Sequence, residues 1–149
     1  MSSSIHSPLP QSQNIQFCNS EKKQKRRYRI LLVDDDEDLL YINQMFIERY
    51  EGFEVNTVST VKEALEKINS DSYDVIVSDY DMPELNGIDF YKILRLEENF
   101  TPFIIFSSKS REEISLCHQI PDSLIFIQKQ TDLLRVCKEL VSLIHLKIA

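Results

Sequence analysis

Four short apolar segments of this chain end abruptly at polar residues, and this pattern constrains the fold more than any other feature. Apolar runs of about four to eight residues separated by turn or helix signals are typical of buried parallel strands. Ligands bind such sheets at the carboxyl ends of the strands. We therefore expect these polar residues to meet at one edge of a sheet: Asp34 and Asp35 after residues 30–33, Asp79 after residues 75–78, Ser107 after residues 103–106, and Lys129 shortly after residues 124–127.

The segments between these runs have the apolar spacing of helices, so strand and helix alternate along the chain. A second strand is predicted at residues 53–58, and helices at 38–50, 60–69, 88–96, 110–118 and 131–147. The residues expected to face inward from the first helix are Leu39, Ile42, Phe46 and Tyr50, with Gly52 as its C-cap. Because crossovers between parallel strands are right-handed, five such units predict a doubly wound α/β sheet with helices on both faces.

The composition is that of one globular domain. At 149 residues, with 42% hydrophobic and 28% charged residues, the chain is long enough to bury a core. It has no apolar run of about 18 residues and no apolar secretory segment, so we expect a cytoplasmic protein without membrane insertion. Its two glycines are too few for a nucleotide-binding loop, and its scattered cysteines and histidines predict neither a zinc site nor a disulfide framework.

The charge is unevenly distributed between an N-terminal extension and the rest of the chain. Residues 1–28 are polar, with a basic stretch near their end, and we interpret them as a disordered extension before a domain at residues 29–149. Residues 1–29 carry six basic residues and one Glu, which leaves 11 basic and 23 acidic residues in the remainder. A body with this excess of negative charge is not expected to bind nucleic acid.

The carboxylates of Asp34, Asp35 and Asp79 repel one another if all three are ionised. Two such charges about 4 Å apart repel by roughly 4 kcal/mol at an effective dielectric constant near 20. Either one carboxylate takes a proton or a cation lies among them. Carboxylate oxygens without nearby His or Cys suit Mg²⁺ better than a transition metal. With the Ser107 hydroxyl and the Lys129 ammonium available to phosphoryl oxygens, these groups suit phosphoryl transfer to a carboxylate.

These residues resemble the receiver domains of bacterial and archaeal response regulators. The resemblance covers about residues 29–149 and is carried by Ile-Leu-Leu-Val-Asp-Asp-Asp at 30–36, Val-Ile-Val-Ser-Asp-Tyr-Asp-Met-Pro-Glu-Leu-Asn-Gly at 75–87, Ser107 and Lys129. It implies a flavodoxin-like sheet of order 2-1-3-4-5. It also implies that Asp79 accepts a phosphoryl group, with Mg²⁺ or Mn²⁺, from a sensor histidine kinase or phosphotransfer protein, and that the acyl phosphate is slowly hydrolysed.

The resemblance assigns roles to individual residues. It implies that Asp35 is the direct metal ligand, that Asp34 acts through water, and that Asp79 and the backbone carbonyl of Asp81 complete the set. The remaining matches are Ser107 with the switch hydroxyl, Lys129 with the lysine of the fifth strand, and Phe126 with the switch aromatic.

Four further positions distinguish this chain within the resemblance. Asp81 and Lys109 match positions that tune the lifetime of the acyl phosphate, and their opposite charges predict an ion pair at the mouth of the site. Two residues depart from the usual pattern: Gln130 follows Lys129 in place of proline, and Ser108 follows Ser107 in place of alanine. The first departure puts the expected cis-proline turn in doubt, and the second places a polar side chain where the phosphoryl donor approaches.

Other functions stay open beside the receiver. Asp79-Tyr80-Asp81 also resembles the nucleophile motif of haloacid-dehalogenase-type phosphatases, which are expected to carry further metal-binding acids downstream. A receiver-like binding module that does not depend on phosphorylation is the second alternative. Because the sequence ends after the last predicted helix, we expect a stand-alone receiver that catalyses only its own phosphorylation and dephosphorylation. Its output then passes through a downstream protein or a phosphorelay, and homodimer formation on activation stays open.

Overall fold

Strands and helices alternate along the chain as predicted. The computed structural model describes residues 26–50, 52–129 and 133–148. Its elements are β1 (Tyr28–Val33), α1 (Glu37–Glu48), β2 (Phe53–Val58), α2 (Val61–Ser70), β3 (Val75–Ser78), α3 (Gly87–Leu96), β4 (Phe103–Ser107), α4 (Arg111–Ser115), β5 (Ile125–Gln128) and α5 (Leu133–Ile148). Most of the predicted extension, residues 1–25, lies outside the described residues, and β1 begins one residue before the predicted domain boundary.

The strands form one parallel sheet of order β2-β1-β3-β4-β5. Val33 at the end of β1 pairs with Val58 on one side and Ser78 on the other. Ser107 at the end of β4 pairs with Gln128 of β5. The strands therefore end at one edge of the sheet, and this confirms the predicted doubly wound fold and its 2-1-3-4-5 order.

Alternate residues of the strands supply a hydrophobic core on each face of the sheet. On one face, Leu31 and Val33 pack with buried residues of α2, α3 and α4. On the other face, Ile30 and Leu32 pack with buried residues of α1 and α5. All four side chains are at most 2% exposed, and each contributes about 2 kcal/mol through removal from water. This burial on both faces holds the strand ends rigidly beside one another.

The buried face of α1 agrees with the prediction only in part, since the half-buried Phe46 and Tyr50 pack against the core as expected. The buried residues are Leu40, Asn43 and Ile47, whereas Ile42 is 53% exposed. The fully buried stripe is displaced by one residue from the predicted one, because packing of the helix against the sheet selects the inward face. Asp36 caps the N-terminus of this helix, and its side chain accepts hydrogen bonds from the Asp38 and Leu39 N–H groups.

The end of α1 also differs from the prediction, which made Gly52 its C-cap. Arg49 is the C-cap, and Gly52 lies further on with φ +94°. The Gly52 carbonyl accepts a hydrogen bond from the Tyr28 N–H at 2.6 Å. Its positive φ therefore serves the turn that leads into β2 rather than the helix end.

The fourth helix is shorter than the predicted 110–118. Ser110 caps its N-terminus by accepting from the Glu113 N–H. The N–H groups of Cys117 and His118 both bond to the Ile114 carbonyl, which turns the chain out of the helix. In α5, Val136, Cys137 and Leu140 are buried. None of the described helices has the length and apolar character needed to cross a membrane.

Candidate functional site

Asp34 and Asp35 follow β1 and differ sharply in exposure. Asp34 is 3% exposed, whereas Asp35 is exposed. The Asp34 carboxylate accepts from the Asp36 N–H at 3.0 Å through Oδ1 and from Lys129 Nζ at 2.7 Å through Oδ2. The N-cap of α1 and the residue after β5 thus hold Asp34 in place, while the neighbouring Asp35 is exposed.

Asp79 follows β3 and lies beside these acids. Its Oδ1 accepts from the Tyr80 N–H at 2.8 Å, and its Oδ2 lies 3.5 Å from Lys129 Nζ. One carboxylate oxygen from each of Asp34, Asp35 and Asp79 lies within 4.8 Å of the other two. Three oxygen donors at this separation, without His or Cys, fit a hard divalent cation such as Mg²⁺.

Burial and mutual repulsion shift the ionisation of the site. Burial of the carboxyl, followed by the charge of Asp34, raises the pKa of Asp79 to about 6, although Lys129 and the Tyr80 N–H oppose this rise. For Lys129, burial opposes the charged form, but the hydrogen bond to Asp34 and the charge of Asp79 outweigh burial and raise its pKa. Lys129 is therefore a permanent cation between two carboxylates, and it neutralises only part of their charge.

The loop after β3 is packed against the backbone of Asp79. The Gly87 N–H donates to the Tyr80 carbonyl at 2.9 Å. A Cβ on Gly87 would lie 2.4 Å from the Asp79 carbonyl oxygen, so this position admits glycine alone without a backbone shift. Asn86 caps α3 in a reciprocal arrangement with Asp89. The start of α3 therefore rests directly on the residue that carries the central carboxylate.

The ends of β4 and β5 bring Ser107 and Lys129 to the same edge. Ser107 is fully buried, and its Oγ accepts from the Lys109 N–H at 3.2 Å. The Ser107 carbonyl accepts from the Lys129 N–H at 2.7 Å, which ties the two strand ends together. Phe126 is half-buried within β5, and the Arg111 guanidinium lies 5.7 Å from the centre of its ring.

The predicted ion pair between Lys109 and Asp81 is present. Lys109 Nζ lies 3.2 Å from Asp81 Oδ1, and the two side chains are 47% and 54% exposed. Lys109 Nζ also lies 5.5 Å from the centre of the Tyr80 ring. An ion pair this exposed adds little stability, so its interest lies in its place on the loop that follows Asp79.

Some predicted features are not tested by these contacts, and some contacting residues were not predicted. Gln130 lies outside the described residues, so the turn after Lys129 is not described. The metal-binding role of the Asp81 carbonyl stays a prediction.

Sequence reasoning missed the roles of Asp36 and Asn86 as helix caps at the site, although the Asp and Asn preference for N-cap positions was a usable signal.

Two clefts of about 290 and 330 Å³ lie away from the acidic cluster, one lined by Ile68, Tyr73 and Thr101 and the other by Leu40, Tyr41 and Glu63 among others. Asp79 lines neither of these two clefts.

Known proteins match this chain in sequence and in structure. The family profile described as the response regulator receiver domain matches residues 30–140. Response regulator SaeR of Staphylococcus aureus is 39% identical over 83 residues, which are 56% of this chain and 36% of SaeR. The chain thus spans about a third of the length of the curated relatives it matches.

Solved structures show the same fold. The Francisella response regulator 1452 receiver domain has a TM-score of 0.68 and 32% identity, over 78% of this chain and 96% of that one. Chemotaxis protein CheY4 of Vibrio cholerae has a TM-score of 0.66 and 27% identity over 78% of this chain and 98% of its own. TrrA from Thermotoga maritima, crystallised with Mg²⁺ and BeF, shares the fold with a TM-score of 0.67 and 24% identity, over 78% and 98% of the two chains. The chain belongs to the response regulator receiver domain family, whose members are switch domains of two-component signalling rather than conventional enzymes.

Proposed function

We propose that Asp79 accepts a phosphoryl group in a Mg²⁺-dependent reaction from a sensor histidine kinase or phosphotransfer protein. The observation that carries this proposal is the convergence of Asp34, Asp35 and Asp79 within 4.8 Å, with Lys129 Nζ 3.5 Å from Asp79. Burial of Asp79 beside Asp34 raises the pKa of its carboxyl, so this arrangement costs the fold stability near neutral pH. The convergence of these groups suits a reaction in which negative charge develops at that point.

The acidic residues of the site are the proposed metal ligands. Asp35 and Asp79 bind the cation, Asp34 acts through water, and the backbone carbonyl of Asp81 is a further ligand. The bound Mg²⁺, or Mn²⁺, supplies positive charge that neutralises phosphoryl oxygens. The exposure of Asp35 supports its direct role, because an exposed carboxylate can reach the cation without rearrangement of the buried hydrogen bonds around Asp34.

The protein's own residues then orient the transfer. The Tyr80 N–H holds one oxygen of the Asp79 carboxylate. A bond forms between an Asp79 oxygen and phosphorus as the phosphorus–nitrogen bond of the donor phosphohistidine breaks, and the leaving nitrogen keeps the electron pair. Lys129 then contacts a phosphoryl oxygen, as does the Ser107 hydroxyl once it turns from the Lys109 N–H. Water later attacks phosphorus and releases inorganic phosphate and the free carboxylate.

The Asp81–Lys109 ion pair is proposed to slow that hydrolysis. The two side chains meet at 3.2 Å beside the loop that follows Asp79. A pair in this place occupies part of the approach to the phosphoryl group. We expect it to restrict the attacking water and so to lengthen the lifetime of the acyl phosphate.

Phosphorylation is proposed to bias a two-state surface near the last strands. Ser107 binds the end of β5 through its carbonyl, and Phe126 lies in β5 within reach of Arg111. Movement of the Ser107 hydroxyl toward a phosphoryl group therefore perturbs an element that carries the switch aromatic. We propose that residues 29–149 act as the receiver and pass the signal to a downstream protein or a phosphorelay.

The phosphatase alternative is less well supported. The acids that approach Asp79 lie upstream of it, after β1, whereas that class is expected to use acids downstream. The match to the receiver family also favours the receiver. Multiple-turnover hydrolysis of a phosphomonoester would support the phosphatase. Equal partner affinity with and without beryllofluoride and Mg²⁺ would support a binding module independent of phosphorylation.

Labelling with acetyl phosphate tests the proposal. Wild-type protein is expected to become phosphorylated when Mg²⁺ is present and not when it is chelated. Asp79→Asn is expected to abolish labelling. Asp122→Asn, which neutralises an exposed carboxylate on the α4–β5 connection, is the matched control and is expected to label normally. Undiminished labelling of Asp79→Asn would remove the assignment of Asp79.

A further inference from the structure

His118 contacts Tyr80, which directly follows Asp79, and Asn86, which caps α3. It lies just beyond α4, where its N–H bonds to the Ile114 carbonyl. Its Nε2 lies 3.3 Å from the side-chain nitrogen Nδ2 of Asn86. Its ring meets the Tyr80 ring edge-on, with the centroids 5.7 Å apart and the planes at 74°. The segment after α4 is thus joined through this one side chain to the loop after β3.

The hydrogen bonds of Asn86 determine the tautomer of His118. Asn86 Oδ1 accepts from the Asp89 N–H at 2.8 Å as the N-cap of α3. The amide nitrogen must then face His118, and because it can only donate, Nε2 of the imidazole must accept. The network therefore assigns a neutral ring with its proton on Nδ1. A flipped amide would place Nδ2 against the Asp89 N–H and abolish the cap.

Both partners of His118 act on Asp79. The Tyr80 N–H donates to the Asp79 carboxylate at 2.8 Å, so the position of Tyr80 fixes one carboxylate oxygen. Asn86 immediately precedes Gly87, whose Cα packs so closely against the Asp79 carbonyl that no Cβ would fit there. The Gly87 N–H also bonds to the Tyr80 carbonyl, which closes the connection between the two. The imidazole contacts both ends of this connection, at Tyr80 and at Asn86.

We propose that His118 is a positioning residue for phosphorylation of Asp79. It accepts a hydrogen bond from Asn86 and packs on Tyr80, and it thereby holds the Tyr80 N–H and the start of α3 against the phosphoacceptor. This inference rests on the proposed function of Asp79. His118 is placed to act through Tyr80 and Asn86 rather than on a reacting atom.

Two substitutions of His118 separate its hydrogen bond from its bulk. His118→Leu keeps an apolar side chain against Tyr80 but offers no acceptor, and the rate of phosphorylation by acetyl phosphate with Mg²⁺ is expected to fall about fivefold. His118→Gln offers a side-chain carbonyl to Asn86 and is expected to restore most of the rate. Leu116→Ala, at a position 86% exposed, is the control and should leave the rate unchanged.

A double-mutant cycle identifies the partner of His118. Asn86→Ala removes the donor, so adding His118→Leu to it is expected to lower the rate no further. Unfolding of each variant in urea is measured in parallel, because a rate that follows stability alone would indicate a purely structural role. A further fivefold fall in rate in the double variant, or equal rates for wild type and His118→Leu, would overturn the proposal. Neither result would affect the role of Asp79 as the acceptor, because that role is tested by labelling of the wild-type protein.

NMR of the histidine rings tests the tautomer without any activity. Full-length protein labelled with ¹⁵N histidine is compared with His118→Gln in alkaline buffer to assign the His118 ring. The ring is expected to have a protonated Nδ1 and an unprotonated Nε2. A proton on Nε2 would overturn the proposal even if every His118 variant folded poorly. Failure of wild-type labelling would instead count against the function of Asp79.

Discussion

Replacement of Asp79 by Asn is expected to stabilise the metal-free protein near neutral pH. Burial of the carboxyl, and next the charge of Asp34, raises the pKa of Asp79 from 3.8 to about 6. The unfolded chain releases this proton near the lower value and the folded protein near the higher one. Between these two pKa values the folded state binds more protons than the unfolded chain. The free energy of unfolding therefore falls as pH rises through this range, and the fall is complete above about pH 6.

The size of the effect follows from the two pKa values. A rise of about 2 in the pKa corresponds to about 3 kcal/mol of lost stability once both states are ionised. Asn has a similar size, and its side-chain oxygen can accept from the Tyr80 N–H. Lys129 keeps its 2.7 Å bond to Asp34 in the variant, so no cation is left without a partner. We expect Asp79→Asn to recover up to about 3 kcal/mol at pH 7 and nearly nothing below about pH 4.

Urea denaturation with a chelator, repeated between about pH 4 and pH 8, measures this difference. Asp122→Asn is the control, and its exposed site predicts a change within about 0.5 kcal/mol at every pH. Addition of Mg²⁺ should then stabilise the wild type and have a much smaller effect on Asp79→Asn. Equal free energies of unfolding for wild type and Asp79→Asn at pH 7 would refute the reasoning. So would a difference between them that does not change with pH.

Three other substitutions probe the surroundings of Asp79. Gly87→Ala places a Cβ 2.4 Å from the Asp79 carbonyl, so it should lower the free energy of unfolding in urea by about 2 kcal/mol and slow labelling by acetyl phosphate. Gly52→Ala is its control, because that site has open space around it but a φ of +94°. It should lower the free energy of unfolding by about 1 kcal/mol and leave labelling normal. Lys129→Met removes the partner of buried Asp34 and should cost about 2 kcal/mol and most of the labelling; unchanged labelling would contradict its role. Lys109→Ala should shorten the acyl-phosphate lifetime about threefold in a chase experiment. A lifetime equal to that of wild type would show that the ion pair does not slow hydrolysis.

The strand-end acids could be predicted from sequence because their placement depends on local signals and one topological rule. Asp34 and Asp79 directly follow apolar runs, and parallel strands bring such ends together whatever the details of packing. The ion pair of Asp81 and Lys109 could be predicted from the resemblance to receiver domains together with the opposite charges of the two residues. The particular bond between Lys129 and Asp34 did not follow, because the sheet edge offers the amine several acids within a few ångströms.

Other features depend on packing that no local pattern contains. The first helix has apolar residues on two neighbouring stripes, and packing against the sheet buries the stripe of Leu40, Asn43 and Ile47. The role of Gly87 depends on close approach of α3 to the Asp79 backbone. His118 carried no motif, and its contact with Asn86 exists because the fourth helix ends after Ser115 and turns back. Such contacts join segments distant in sequence, and only the folded chain brings them together.

Direct identification of the modified atom gives the sharpest test of the central claim. Full-length protein treated with acetyl phosphate and Mg²⁺ would be reduced with borohydride, digested and sequenced by mass spectrometry. The account predicts one modified residue, Asp79, whose modification disappears when Mg²⁺ is chelated. A phosphoryl group on any other residue, or modification of Asp79 that is indifferent to Mg²⁺, would contradict it.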